Sequence, residues 1–315
     1  MSPLRWIGLA ALVGMLAATP WLGDATVVQY GINALLVATL AQAWNIIGGF
    51  AGYPSFGNSV FYGLGTYGTA IAMAQLGLPF WVGLACGALL SSVFAALLGI
   101  PLLRLRGPYF AIATLGLSGV MSAIMANLDI AGRNIGLILP LIRGDVLFYE
   151  LSLGLLIATT STVVWISRSR FGIGLIAIRE DEAAAEVMGV NTTTFKIAAL
   201  VLSALFTAIA GGIHAYWITF VDPASAFDST LNVRMVIMAM FGGPGTIFGP
   251  VIGAFALSAV YEILANSIST AAALFFGLVI VLAVVFMPKG VIDIGGGFRK
   301  LRWQYFVQNI RENRL

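Results

Sequence analysis

Between Arg5 and Arg104 the sequence carries a single charged residue, Asp24. A soluble fold needs charge on its surface throughout, about a quarter of its residues. A bundle of membrane-spanning helices does not, because its outer face meets hydrocarbon and its backbone groups pair internally. The rest of the chain agrees. Of 315 residues 60% are hydrophobic and 9% charged, and the mean hydropathy is +0.98. The 37 glycines suit close helix packing in lipid. The lone Cys86 leaves no intrachain disulfide. The net charge of +3 is not a nucleic-acid signal, because the basic residues gather at the ends of apolar runs, where they set membrane orientation.

A crossing needs about 20 apolar residues. Spans are expected at roughly 5–22, 27–47, 56–76, 80–103, 108–126, 147–167, 196–219 and 269–287 on that criterion. The first run resembles a signal peptide, but another apolar run follows at once, and an uncleaved span is expected. Arg104 and Arg106 share one loop, Arg168, Arg170 and Arg179 another, and Lys289, Arg299, Lys300 and Arg302 follow the last span. The basic loops belong inside. The loops at roughly 127–146 and 220–232 then fall outside, with Arg133 and Arg143 balanced by Asp129 and Asp145.

Seven crossings from an inner N-terminus end outside, and the basic tail after the last span wants to be inside. The stretch 233–265 must therefore cross an even number of times. Its run "MAMFGGPGTIFGPVIGAFALS" is interrupted by Gly242, Gly243, Pro244 and Gly245, then by Gly249 and Pro250. Glycine and proline split such a run into two pieces, as either a path-lining element or a kinked packing pair. The fold expected is an all-α integral membrane protein, a polytopic bundle of about eight to ten transmembrane helices with a broken, re-entrant segment near 233–265. Its parts are a membrane domain over 1–287, with an inner loop at 168–195, and a basic inner tail over 288–315. The tail is either an amphipathic surface anchor or disordered.

"GGFAGYPSFGNSVFYGLGTYGTA" leads into the third span with Pro54, Ser55, Asn58 and Tyr62 among many glycines. It fits a lining of the central path or, equally, close helix packing. Ionisable groups within the spans are few. His214 and Glu262 are the candidates for an ion relay. A P-loop needs G-x-x-x-x-G-K-[ST], and none of Lys196, Lys289 and Lys300 sits in one. An intramembrane enzyme would need paired catalytic groups at depth, which the spans lack.

One dense polar patch remains, "GLIAIREDEAAAEVMGVNTTTFK", Gly174–Lys196. It lies in an inner loop. Strong helix formers over Glu180–Met188 follow acidic residues that suit a helix N-terminus, and Gly189 is a natural stop. The pattern predicts a short helix held off the membrane, its alanines giving a smooth face for a soluble partner.

"GYPSFGNSVFYGLGTYGTA", "LRLRGPYFAIATLG", "GLIAIREDEAAAEVMGVN", "KIAALVLSALFTAIAGGIHA" and "MAMFGGPGTIFGPVIGA" occur in the order found in LivM-type permeases of branched-chain amino-acid ABC importers, and the chain resembles that family. The resemblance implies a bacterial inner-membrane, multi-pass permease subunit with cytoplasmic termini and no catalytic residues. It implies two cytosolic ATPases that bind ATP and Mg, a second, LivH-like permease and a periplasmic binding protein. It casts Arg179, Glu180, Asp181, Glu182, Ala184, Ala185, Glu186 and Gly189 as the ATPase-coupling helix. It puts Ser55, Asn58, Tyr62, Tyr109, Thr114, Gly242, Gly243, Pro244 and Gly245 along the translocation path. Asp222 and Asp228, in an outer loop, are candidates to receive the binding protein or are ordinary solvated acids. Gly189 stands seven positions after Glu182, where the general importer pattern has six. The rival reading is an ion-coupled secondary transporter or channel for a small polar solute.

Overall fold

The computed structural model describes residues 19–21, 24–105, 107–141 and 144–267. Most of the expected 5–22 span, the 269–287 span and the 288–315 tail lie outside the described residues. Between them the chain is almost wholly helical. Helix α1 (Ala25–Trp44) continues into a π-helical turn, Asn45–Phe50. It is followed by α2 (Asn58–Ala74), α3 (Phe80–Leu102), α4 (Pro108–Asn127) and α5 (Asp145–Arg168). Two short helices, α6 (Arg170–Glu180) and α7 (Glu182–Val187), precede α8 (Thr192–Ile218). A four-residue α9 (Pro223–Ala226), α10 (Ser229–Gly242) and α11 (Gly249–Ser267) complete the order. Strands β1 (Leu137–Ile138) and β2 (Phe220–Val221) pair antiparallel and tie the α4–α5 connection to the end of α8.

Five described helical segments are long and apolar enough to cross a membrane: Ala25–Phe50, Phe80–Leu102, Pro108–Asn127, Asp145–Arg168 and Thr192–Ile218. At 1.5 Å per residue, the 27 residues of α8 run about 40 Å, more than the roughly 30 Å hydrocarbon core. Apolar side chains on α3 and α4, such as Leu89, Leu97, Ile112 and Val120, are exposed. Such an exposed apolar surface suits a polytopic helical membrane protein, whose outer face meets hydrocarbon or another membrane subunit.

The core is organised around α2. Asn58, Ser59, Val60, Phe61 and Tyr62 open it buried, and Tyr67 is fully enclosed. It packs between α3 and α8 at distances only glycine permits. A Cβ on Gly65 would stand 2.1 Å from the Ala208 carbonyl oxygen, and one on Gly211 2.3 Å from that of Tyr62. Such close approach lets backbones gain dispersion contacts where lipid offers no hydrophobic drive between helices.

α10 and α11 form the broken pair expected over 233–265. Their turn, residues 243–248, sits beside the π-turn of α1. Gln42 Nε2 donates to the Ile247 carbonyl at 2.7 Å, Asn45 Nδ2 donates to Thr246 at 2.9 Å, and the Gly245 amide donates to Asn45 Oδ1 at 2.7 Å. The two helices come close enough that a Cβ on Gly242 would meet the Gly249 carbonyl oxygen at 1.8 Å.

Two local expectations are refined. The loop expected at 220–232 is structured, with Pro223, Ala226, Phe227 and Asn232 buried. Phe227 stacks on Tyr67 with centroids 5.9 Å apart, in space that a side chain on Gly63 would fill. The reason is the length of α10: its 14 residues reach only about 21 Å, so the chain folds inward before it starts. The helix expected over Glu180–Met188 is present as α7, Glu182–Val187, and Glu180 ends the helix before it. Asp181 leaves the helical region, with φ −158°, and its carboxylate accepts from the Ala183 and Ala184 amides to cap α7. The preceding α6, capped by Ser169 accepting from the Gly172 amide, was not expected.

Candidate coupling and translocation site

At α7 the polar patch presents a small helix to the outside. Asp181, Ala183, Ala184, Glu186 and Gly189 are exposed and Ala185 is buried. Val187 and Met188 are 87% and 83% exposed at its tip. The helix stops where Gly189 takes φ +87°, and the Val190 amide reaches back to the Ala185 carbonyl at 3.0 Å. This is the glycine-terminated end that a residue with a Cβ adopts only under strain.

Glu182 turns the other way. Its carboxylate accepts from the Lys196 ammonium at 2.5 Å and from the Tyr53 hydroxyl at 2.6 Å. The same ammonium donates to Tyr53 Oη at 3.1 Å and to the Leu103 carbonyl at 3.3 Å, and lies 4.9 Å from the Tyr53 ring centre. The side chains are 5% (Lys196) and 13% (Glu182) exposed. This near-buried, fully hydrogen-bonded charge pair joins α7 to the base of α8, the end of α3 and the extended segment leading into α2. Good geometry and satisfied donors are the conditions under which a buried pair is tolerated. Arg179 adds a second tie. It donates to the Gly49 carbonyl of the π-turn at 3.1 Å and pairs with exposed Glu180 at 2.8 Å. Glu186 accepts from Thr192 Oγ1 at 2.7 Å.

Within the bundle a chain of polar side chains runs between helices. Asn58 Nδ2 donates to Ser203 Oγ at 3.1 Å, and the Ser59 amide donates to Asn232 Oδ1 at 2.7 Å. Asn232 Nδ2 donates to Ser59 Oγ at 2.8 Å, and the Ser59 and Ser118 hydroxyls lie 2.8 Å apart. Thr114 Oγ1 accepts from the Phe56 amide and Ser55 Oγ from the Gly57 amide. Above this layer Tyr62 and His214 share a 2.6 Å hydrogen bond.

A cavity of about 220 Å³ opens there, lined by residues of α1, α2, α8 and the α9–α10 region, among them Tyr62, His214, Asp228 and Arg234. Of the residues the sequence put along the path, Ser55, Asn58, Tyr62 and Thr114 are buried together around the start of α2. Only Tyr62 of them lines this cavity. Tyr109 is 73% exposed on α4, apart from the others. Gly242, Gly243, Pro244 and Gly245 form the α10–α11 turn beside Arg179 and the π-turn. Asp222 and Asp228 act as helix caps, accepting from the Ser225 and Thr230 amides. The sequence reading missed Tyr53, Lys196, Asn232 and Arg234. A lysine at a span boundary and an arginine within an apolar run were the available signals.

A polytopic bundle with a polar seam, a cavity and an exposed surface helix tied to its central helices is the architecture of a helical membrane protein. Comparison with known proteins gives the family. Residues 26–285 match the family described as branched-chain amino acid transport system, permease component, and the chain belongs to it. It is 26% identical to the high-affinity branched-chain amino acid transport system permease protein LivM of Salmonella typhimurium, over 91% of this chain and 74% of that one. It is 24% identical to the high-affinity branched-chain amino acid transport system permease protein BraD of Pseudomonas aeruginosa, over 84% of this chain and 95% of that one. The nucleoside ABC transporter permease protein NupC of Lactococcus lactis is 26% identical over 50% of this chain and 54% of its own. No solved structure matches the chain.

Proposed function

We propose that this chain is one membrane half of an ATP-driven importer of branched-chain amino acids in a bacterial inner membrane, with both termini in the cytoplasm. A LivH-like permease supplies the other half. Two cytosolic ATPases, which bind ATP and Mg, dock on the basic end, and a periplasmic binding protein delivers substrate to the opposite end. The observation that carries this reading is the Glu182–Lys196–Tyr53 contact. It gives the exposed α7 a rigid connection to α2 and α8, so a push on α7 reaches the helices that surround the polar seam. Coupling then requires a two-state bundle whose balance is biased from both ends.

Asp181 and Gly189 fix the ends of α7, Ala184 and Glu186 face the ATPase, and Val187 and Met188 are its apolar anchors. The ion-coupled alternative would use His214 as a relay. Its Nδ1 is engaged by Tyr62, and its ring lies 5.9 Å from that of Trp217, an arrangement that suits a fixed interhelical contact.

Purifying the tagged chain from its host in mild detergent tests the assembly. Two P-loop ATPases and a second permease are expected with it. The chain alone, still competent in vesicles without ATP, would contradict the proposal. The anchors make a sharper prediction. Val187→Asp with Met188→Asp changes only exposed side chains, so membrane levels stay normal. ATPase recovery should fall roughly thirtyfold, the affinity equivalent of losing about 2 kcal/mol from an interface anchor. Quantitative immunoblotting of the purified complex reads it.

A further inference from the structure

Resting on the importer reading, we infer that the cavity beside His214 is a transient site for the zwitterionic head of an aliphatic amino acid during passage. Asp228 and Arg234 both line it, yet they form no ion pair with each other. The Arg234 guanidinium donates to Tyr261 Oη at 3.3 Å and stacks on that ring. The Asp228 carboxylate accepts from Thr230. Arg234 is exposed and Asp228 half-buried, so the cavity presents a cation and an anion, held apart, to a solute that enters it.

The remaining lining divides by chemistry. Asn33, Tyr62 and His214 supply polar atoms, and Leu36, Val37, Leu40 and Leu231 form an aliphatic wall. An α-carboxylate matches the Arg234 guanidinium, which presents planar paired donors. An α-ammonium matches the Asp228 carboxylate, and a branched apolar side chain matches the wall. The head group is read by charge and the side chain only by apolar contact. Such a site accepts leucine, isoleucine and valine alike and leaves finer choice to the binding protein. A neutral solute such as a nucleoside has no groups for both charges.

The test uses the whole importer in proteoliposomes, with radiolabelled leucine uptake and binding-protein-stimulated ATP hydrolysis measured together. Arg234→Gln removes the cation. Asp228→Asn removes the anion but keeps a side chain that caps α10 well. Each should lower leucine uptake by up to about fivefold, as expected when one partner of a solvent-accessible charge contact is lost. In Arg234→Gln, stimulated ATP hydrolysis should stay within about twofold of the parent, which separates a substrate contact from a folding defect. Parent and both variants importing leucine alike would overturn the site and leave the importer reading intact. A parent importer that moves nucleosides and no amino acid would overturn the importer's substrate assignment, and the site with it.

Discussion

Lys196→Met is expected to cut ATP-driven uptake to less than about a tenth and to destabilise the chain by about 3–5 kcal/mol, the cost of leaving a buried carboxylate without its partner. Glu182 would lose its ammonium partner, and α7 would lose its strongest tie to α8 and to the Leu103 carbonyl. Thermal unfolding of the purified complex reads the stability, and proteoliposome uptake reads the coupling. The double variant Glu182→Met, Lys196→Met separates the two effects. Replacing both charges by apolar groups of similar volume is often neutral for stability, so unfolding should return close to the parent. If the single variant melts and transports like the parent, the contact carries neither stability nor coupling.

Gly65→Val should prevent accumulation of folded chain. Its Cβ would press into the Ala208 backbone at 2.1 Å, and backbone, unlike a flexible side-chain end, cannot move aside. Overpacking a well-packed core costs about 1–3 kcal/mol when side chains give way, and here a helix must shift. Gly119→Ala is the matched control. A Cβ there meets nothing within 4 Å, and alanine is favoured over glycine in a helix by up to about 1 kcal/mol. Membrane levels and melting temperatures of the two should diverge sharply. Equal levels and equal uptake would mean that α2 and α8 do not pack as closely as the structure has them.

The long spans were legible because length and apolarity alone specify a crossing. Helices α3, α4 and α5 begin and end within about two residues of expectation, close to the usual uncertainty of helix ends. The GGPG break was legible for a related reason, since glycine and proline act locally on the backbone. The features that build the site are not local. Tyr53 stands 129 positions from Glu182 and 143 from Lys196, and no periodicity links them. The sequence therefore grouped Glu182 with its neighbours in the coupling helix, whereas in the structure its carboxylate binds Lys196 and Tyr53. Helix α6 was hidden in the same way. Its apolar residues Leu175 and Ile178 are buried while Ile173 is 66% exposed, so its composition shows no clear polar face. The inward fold of Pro223–Asp228 follows from the shortness of α10, which becomes visible only once the helix ends are known.

The most direct test of the account is leucine accumulation in proteoliposomes holding the complete complex and its binding protein. ATP is confined to the side on which the ATPases sit. Accumulation against a gradient that requires ATP, and that is indifferent to collapse of proton and sodium gradients, is the predicted result. Accumulation without ATP that vanishes when an ion gradient is collapsed would contradict it and return His214 to the centre of the mechanism.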